Sequence, residues 1–272
     1  MFSLQKISVP VCFAILPFVA FAGDPHFMPA GAAQAGMAYV CVMKNDFWSA
    51  FHNQAALSAS TKLSFGASYE NRFGIPELGT CTSAITLPAG KAVVGAIYSH
   101  FGYRDFRRQM AGVACGMALS ETVSAGVQID YFSEKTYGEY SNMQAVTFEA
   151  GLQASINKNV KIGIHLFNPV PGSLRKREMV SGLTAGAGVI LGKGLFAGME
   201  AEMTTAGYVD LKTGFEYELS KDLWLRGGFR TQHSLFCFGL GYRIKPAVVD
   251  ISFSTHDKLG ITSSVSLTFI IK

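Results

Sequence analysis

The chain of 272 residues lacks a long hydrophobic run beyond its N-terminal segment. Even the most apolar later region, residues 182–199, is interrupted by Lys193. A helix that crosses a bilayer needs about 20 consecutive, mostly apolar residues, so the sequence argues against helical membrane spans after the N-terminus. The mean hydropathy is nevertheless positive, at +0.25. The apolar residues must therefore follow another pattern.

Charge and cysteine are also scarce. Charged residues make up 15% of the chain, and 23 Lys and Arg oppose 19 Asp and Glu, so we expect no nucleic-acid partner. No cysteine forms a CxxC pair or a metal-ligand spacing with histidine, and we expect neither a metal nor a cofactor. Four cysteines remain after the predicted cleavage: Cys41, Cys81, Cys115 and Cys237. We expect them to be small packing residues, and a disulfide between two of them is the alternative.

The N-terminal segment has the pattern of a secretory signal peptide. Lys6 precedes an apolar run over residues 7–21, and the small-residue exit Ala20-Phe21-Ala22 follows. This order of charge, apolar run and small residues predicts a signal peptide over 1–22, cleaved before Gly23. We therefore expect an exported protein.

From Lys62 onward, about fourteen stretches alternate apolar residues with small or polar ones. In residues 208–219, for example, Val209, Leu211 and Phe215 share one face, while Asp210 and Lys212 share the other. Successive strand side chains point to opposite faces, so one face suits lipid and the other a wet lumen. The pattern predicts an all-β fold, a transmembrane antiparallel β-barrel of about 14 strands over residues 62–272, in the outer membrane of a Gram-negative bacterium.

Connection lengths support an even number of strands. Tight turns such as Gly192-Lys193 and Ser220-Lys221 alternate with longer, charged or proline-containing connections, at 104–108, 134–141 and 168–178. In such barrels the short turns face the periplasm and the longer loops face outward. We therefore expect both ends of the barrel sequence on the periplasmic side.

Residues 23–61 break the alternation and predict a separate plug segment. Asn45 or Asp46 is placed as the N-cap of a short helix, Phe47-Trp48-Ser49-Ala50-Phe51, and His52-Asn53-Gln54 ends it. Because this segment precedes the first strand, it can thread back into the lumen and close it. The alternative is a short amphipathic helix at the periplasmic rim.

Charged residues concentrate on the predicted lumenal face of the later strands. The expected register places Glu216 opposite Arg226, through a three-residue turn at 220–222, and Glu200 opposite Lys212. Mutual neutralisation is the favoured interpretation, because isolated charges are costly in a confined interior, and a selectivity lining is the alternative. The predicted network comprises Glu200, Lys212, Glu216, Arg226, Arg230 and Arg243.

No catalytic constellation is predicted. Ser99 and His100 are adjacent on one strand and face opposite sides, and Asp250 and His256 share a strand but lie roughly 20 Å apart. His165 is predicted to be an isolated lumenal residue. We therefore expect a protein that is not an enzyme.

The N-terminal segment carries a family resemblance. Residues 31–38, GAAQAGMA, followed by DFWSAFHNQAAL at 46–57, resemble the N-terminal signature of FadL-like outer-membrane barrels, closest to the PorV/PorQ-like proteins of Bacteroidetes. Gln54 and Ala56 stand where proline and glycine are common in that motif. The resemblance implies a fourteen-stranded barrel with an N-terminal plug, whose relatives pass hydrophobic molecules or serve as accessory subunits of export machinery.

Our functional hypothesis from the sequence is a non-catalytic accessory or scaffold subunit of outer-membrane protein export or assembly. Its partners would be outer-membrane lipid and another outer-membrane or exported protein. The alternative is a FadL-like passive channel for hydrophobic or small solutes. The predicted lumen, rich in Gly, Ser, Thr and charge, disfavours it, although a small hydrophobic ligand could contact plug residues, namely Asp46, Phe47, Trp48, Phe51 and Asn53.

Overall fold

Fourteen antiparallel strands form a closed barrel, in which each strand pairs with the next and β1 pairs with β14. The computed structural model describes residues 30–136, 142–170, 179–232 and 235–271, so the predicted signal peptide and most of the two longest predicted loops lie outside it. The strands are β1 (Ser64–Asn71), β2 (Gly79–Ala89), β3 (Ala92–Gly102), β4 (Phe106–Ala118), β5 (Val123–Thr136), β6 (Met143–Ser155), β7 (Val160–Phe167), β8 (Gly182–Leu191), β9 (Leu195–Thr204), β10 (Val209–Ser220), β11 (Leu223–Arg230), β12 (Leu235–Ile244), β13 (Ala247–His256) and β14 (Gly260–Ile270).

The two faces of the wall have the predicted chemistry. Leu211 and Phe215 point outward and are exposed, while Asp210 and Lys212 on the same strand point inward and are buried. Large apolar side chains are exposed on the outer face of strands all around the barrel, as contact with lipid requires. Among the described residues, no helix is both long and apolar enough to cross a bilayer.

The predicted register is confirmed, but the turn that produces it differs. Glu216 pairs with Arg226 and Glu200 with Lys212. The expected three-residue turn is instead a two-residue connection, because Ser220 pairs with Leu223 and the register shifts between Glu218 and Ser220. A bulge supplies the extra residue inside the strand, with the same effect on register.

The plug contains three short helical elements rather than the single predicted helix. An α-helix, α1, spans Ala32–Gly36, and 3-10 helices span Ser49–Phe51 and Gln54–Ala59. Asp46 does cap the predicted turn, since its Oδ1 accepts from the Ser49 amide at 2.9 Å. Asn53 does not end the helical region but caps the next 3-10 helix, accepting from the Ala55 amide at 3.1 Å. Two further 3-10 helices, Arg72–Gly74 and Pro76–Leu78, connect β1 to β2.

The plug lies inside the barrel, which confirms the threaded arrangement over the rim alternative. Val40, Met43 and Leu57 have no exposed surface. On most strands a glycine faces the plug, and a Cβ there would contact plug atoms. These glycines are Gly66, Gly95, Gly116, Gly126, Gly151, Gly163, Gly186, Gly188, Gly198, Gly214, Gly228 and Gly239. We call this set the glycine ring. It lets the plug backbone approach the wall from nearly every direction.

We call the end of the barrel where β1 begins and β14 ends the short-turn end, and the opposite end the long-loop end. The β2–β3 and β10–β11 connections at the short-turn end leave only two residues between strands. The expectation that this end faces the periplasm stays a prediction.

Candidate functional site: the plugged lumen

One side of the lumen holds a chain of ion pairs. The Arg226 guanidinium lies between two carboxylates, with Nε 2.6 Å from Glu216 and Nη1 2.6 Å from Asp250. Lys44 of the plug reaches the other oxygen of Glu216 at 2.7 Å. The predicted Glu216–Arg226 pair is therefore part of a four-residue chain that ties the plug to the wall. Because the arginine bridges two carboxylates, none of these charges is isolated in the interior.

Nearer the long-loop end, the predicted lumenal charges are rearranged by the plug. Glu200 faces Lys212 in the register, yet its carboxylate accepts from the plug amides of Cys41 at 2.5 Å and Val42 at 2.6 Å. Lys212 instead pairs with Glu202. The expected Glu200–Lys212 ion pair is thus wrong, because two orphan backbone donors of the plug need the Glu200 carboxylate.

Arg230 belongs to the lumen as predicted, whereas Arg243 does not belong to the network. Arg230 pairs with the fully buried Asp210 at 2.6 Å. Arg243 lies at the short-turn end, half-exposed, 4.0 Å from Asp222 and with its guanidinium carbon 4.7 Å from the centre of the Trp224 ring. A strand end gives a long side chain access to water, so no lumenal partner is needed there.

The opposite side of the lumen contains a buried apolar cluster, which the polar lumen expected from the sequence did not include. Its buried cluster joins plug residues to inward-facing residues of β2 to β7 and to the segment before β8: Ala30, Trp48, Phe51, Ala84, Ile97, Met110, Phe132, Ala145, Phe167 and Met179, with Phe47 and Phe101 packed against it. We call this set the apolar column. It extends from the long-loop ends of β3 to β7 to the plug aromatics beside the start of β1.

Three of the predicted plug residues lie in this column and two do not. Trp48 is buried, and its ring meets Phe47 edge-on at 4.9 Å; Phe47 also meets Phe51 edge-on at 5.9 Å. Asp46 serves instead as the cap described above. Asn53 holds the plug together and to the wall, donating to the carbonyl of Val42 at 2.7 Å and also contacting the carbonyls of Leu152 and Ile164.

His165 is not the isolated residue that the sequence predicted. Its Nε2 lies 3.0 Å from Oε2 of Glu149, which also accepts from Gln54 of the plug at 2.5 Å. The sequence predicted a lumenal His165, but its contact with Glu149 depends on the register between β6 and β7, which the sequence does not give.

Two further plug residues were not anticipated. The Tyr39 hydroxyl donates to Glu70 at 2.7 Å, and its burial raises the pKa of the phenol well above its ordinary value. His52 Nε2 donates to the Ala30 carbonyl at 2.8 Å, and burial lowers the pKa of the imidazole to about 4. Both groups are therefore neutral at pH 7, as suits side chains packed inside a closed lumen.

The cavities around the plug differ in size at its two ends. On the long-loop side, a cavity of about 40 Å³ is lined by residues that include Tyr39, His52, His165 and Phe167. On the short-turn side, a more open cavity of about 180 Å³ borders Asp46, Phe47 and Lys62. A cavity of about 150 Å³ is known to admit benzene, so the long-loop side is closed to such a molecule in this conformation.

Comparison with known proteins gives a likeness of fold. No family model and no curated protein matches the sequence. A Pseudomonas aeruginosa FadL homologue superposes with a TM-score of 0.66 at 12% identity, over 89% of this chain and 98% of that chain. The Pseudomonas putida toluene transporter TodX gives 0.66 at 11% identity, over 89% and 98%. The Acinetobacter baumannii outer membrane protein Omp33 gives 0.53 at 13% identity, over 77% and 98%.

At these identities the likeness is one of architecture. It agrees with the closed antiparallel order of fourteen strands described above. None of these three structures bears on closeness to PorV/PorQ-like proteins. The chain therefore has the closed-barrel fold shared with FadL- and TodX-like outer-membrane channels.

Proposed function

We propose that this protein is an outer-membrane channel for small hydrophobic solutes, closed by its N-terminal plug in the conformation described. The observation that carries the proposal is the apolar column, which joins the long-loop ends of five strands to the plug aromatics. A lumen that transmits only ions or polar solutes would not require the apolar column, whereas a path for a hydrophobic solute would. The fold that this chain shares with the toluene transporter TodX also supports a channel for hydrophobic solutes.

Passage would require the plug to move. The column is continuous but filled, since Phe132 and Met110 are buried and the adjoining cavity holds about 40 Å³. The larger cavity lies beyond Phe47 on the short-turn side. A shift of the plug aromatics would connect the two, and the solute would replace side-chain contacts with contacts of its own.

Uptake of a labelled monocyclic aromatic hydrocarbon, by cells that carry this protein in their outer membrane, tests the proposal. We expect uptake above that of cells without the protein, and a loss of that excess in Met110→Gln. Glutamine has the size of methionine but leaves a buried amide in the column, which a hydrophobic solute cannot satisfy. Absence of excess uptake by the unaltered protein would overturn the channel proposal.

Met199→Gln is the matched control. Met199 points outward and is 63% exposed, so the same chemical change falls on the lipid-facing side of the wall. If both variants lower uptake equally at equal amounts of folded barrel, the column is not the path.

An accessory-subunit function is a second proposal, supported by the extent to which the plug fills the lumen. The glycine ring closes the wall around the plug backbone on nearly every strand. A protein that acts through what it binds would show no solute uptake and no conductance, yet would purify in a fixed ratio with one outer-membrane or exported protein. An unaccompanied barrel with solute uptake would reject it.

A further inference from the structure

A cluster of polar side chains lies within the apolar side of the lumen. On β5 and β6, Gln128 pairs in register with Glu149, and Asp130 with Thr147, so four inward-facing side chains are immediate neighbours. Gln54 of the plug joins them through its hydrogen bond to Glu149. We call these five residues the oxygen cluster. All of them are at least nine-tenths buried.

Asp130 is the least compensated acid of this lumen. Its partners are Gln128, whose Nε2 donates to it at 2.8 Å, and the neighbouring carboxyl group of Glu149, and neither of them is a cation. Among the described residues, the other buried carboxylates have a cationic, histidine or backbone-amide partner, as Asp210 has in Arg230 and Glu200 in the plug amides. Burying an ionised carboxylate without such a partner is costly.

The cluster also has an excess of acceptor oxygens. Within the part of the chain that the structure describes, four of its buried oxygens have no hydrogen-bond partner: Gln54 Oε1, Gln128 Oε1, Asp130 Oδ2 and Thr147 Oγ1. Both glutamines use their amide nitrogens on the two carboxyl groups, and their buried carbonyl oxygens are left without a donor. Two carboxylates with neutral oxygens around them form the ligand set of a hard cation.

Gly112 on β4 leaves room for the side chains of this cluster. Gly112 pairs with Asp130, and a Cβ at position 112 would run into the Asp130 carboxylate and lie 3.1 Å from Gln128 Nε2. A glycine is therefore required where the carboxylate lies over the neighbouring strand.

We propose that the oxygen cluster binds one hard divalent cation of the Ca²⁺ class, which ties Gln54 of the plug to β5 and β6. Ca²⁺ takes six to eight oxygens in flexible geometry, whereas Mg²⁺ usually keeps several waters and is rarely bound by protein oxygens alone. Among the described residues, no group of three or more His, Cys, Asp or Glu side chains is arranged to hold a metal ion, so the neutral oxygens of the cluster have to complete the ligand set. His165 donates to Glu149 and orients it.

Calorimetric titration of CaCl₂ into the full, signal-peptide-free chain in detergent, after dialysis against a chelator, tests the site. We expect one Ca²⁺ per chain and a rise in melting temperature on binding, with much weaker binding of Mg²⁺. Asp130→Asn removes one charged ligand and should weaken Ca²⁺ binding by about tenfold or more. Glu202→Gln, which alters a lumenal carboxylate outside the cluster, should leave Ca²⁺ binding unchanged.

Thr147→Val keeps the test available if Asp130→Asn does not fold, since valine has the shape of threonine and lacks only the hydroxyl. It should weaken Ca²⁺ binding while leaving the barrel folded. Absence of Ca²⁺ binding by the unaltered chain, or equal binding by the unaltered chain and these variants, would overturn the site. A stabilisation by Asp130→Asn without any response of the unaltered chain to Ca²⁺ would do so too, and would indicate a proton shared between Asp130 and Glu149.

Discussion

The two sides of the lumen hold the same plug by different forces. On the charged side, formed by β9 to β13, Lys44 of the plug pairs with Glu216 of the wall at 2.7 Å, and Arg226 holds the same glutamate at 2.6 Å. On the apolar side, formed by β2 to β7, Trp48 and Phe51 pack into the apolar column. Ion pairs fix a position, whereas apolar contacts can be exchanged for those of a solute. The comparison indicates an anchored side and a side suited to passage.

The glycine ring is common to both sides. Gly214 on the charged side and Gly126 on the apolar side both leave room for plug backbone. The shape of the lumen is therefore similar all around, and the difference between the sides lies in side-chain chemistry.

Breaking the charged side at its centre should have the largest effect. Arg226→Ala would leave Glu216 and Asp250 facing each other without their shared cation, although Lys44 still reaches Glu216. Removing one member of a buried pair typically costs about 3–5 kcal/mol. We expect a loss of that order in urea unfolding of the detergent-solubilised barrel, followed by the shift in gel mobility between folded and unfolded forms.

The double variant Arg226→Met/Asp250→Asn is the control for that loss. It removes the charge and its buried partner together and leaves the Lys44–Glu216 pair in place. We expect it to be more stable than Arg226→Ala. Equal unfolding midpoints for the two variants would show that Arg226 acts by packing rather than by charge.

Cys41 reports whether the plug remains seated. Burial raises the pKa of its thiol well above the ordinary value, with the Glu200 carboxylate as a further cause. In a Cys81→Ser/Cys115→Ser background, we expect Cys41 to be alkylated more slowly than an exposed thiol, by the same factor at each pH from 7 to 8, because only the released plug presents a reactive thiolate. A protection of about 100-fold would correspond to about 3 kcal/mol of plug docking.

The pH dependence has a definite sign. Because the pKa of Cys41 is higher in the docked plug than in a released one, ionisation disfavours docking only above the ordinary thiol pKa, and docking is unaffected below it. An alkylation rate equal to that of a free thiol at the same pH would show a plug that is mostly released.

The apolar side can be weakened without touching a charge. A Cβ in Gly126→Ala would lie 2.8 Å from the Ala55 amide nitrogen, so the plug backbone must move. Overpacking of this kind typically costs about 1–3 kcal/mol. We expect faster Cys41 alkylation and a higher conductance in planar bilayers. Gly182→Ala, whose Cβ would meet nothing closer than 3.8 Å, should leave both unchanged.

The smallest effect should come from Arg243. It lies outside the lumenal network, 4.0 Å from the half-exposed Asp222. Exposed pairs typically contribute about 0–1 kcal/mol, so Arg243→Gln should shift the unfolding midpoint little. A loss comparable to that of Arg226→Ala would place Arg243 back in the network that the sequence predicted.

The sequence predicts the wall better than its contents. Alternation in residues 208–219 correctly assigns Asp210 and Lys212 to the lumen, and turn lengths correctly give an even strand number. The Glu216–Arg226 register is also correct, although a bulge and not the predicted three-residue turn produces it. The Glu200–Lys212 ion pair fails because the plug competes for Glu200. Periodicity reports which face a residue occupies, and it carries no information about which of several lumenal groups a threaded segment reaches.

By itself, the sequence determined the closed fourteen-strand wall, because a period of two and the lengths of turns are local properties written along each strand. Only the tertiary structure decided the interior. Inward-facing residues far apart in sequence, such as Met110, Phe132 and Phe167, became one apolar column only when the barrel closed around Trp48 and Phe51. Closure brings distant strands around one lumen, and the glycine ring lets the plug backbone approach the wall closely. The division into a charged and an apolar side follows from that packing.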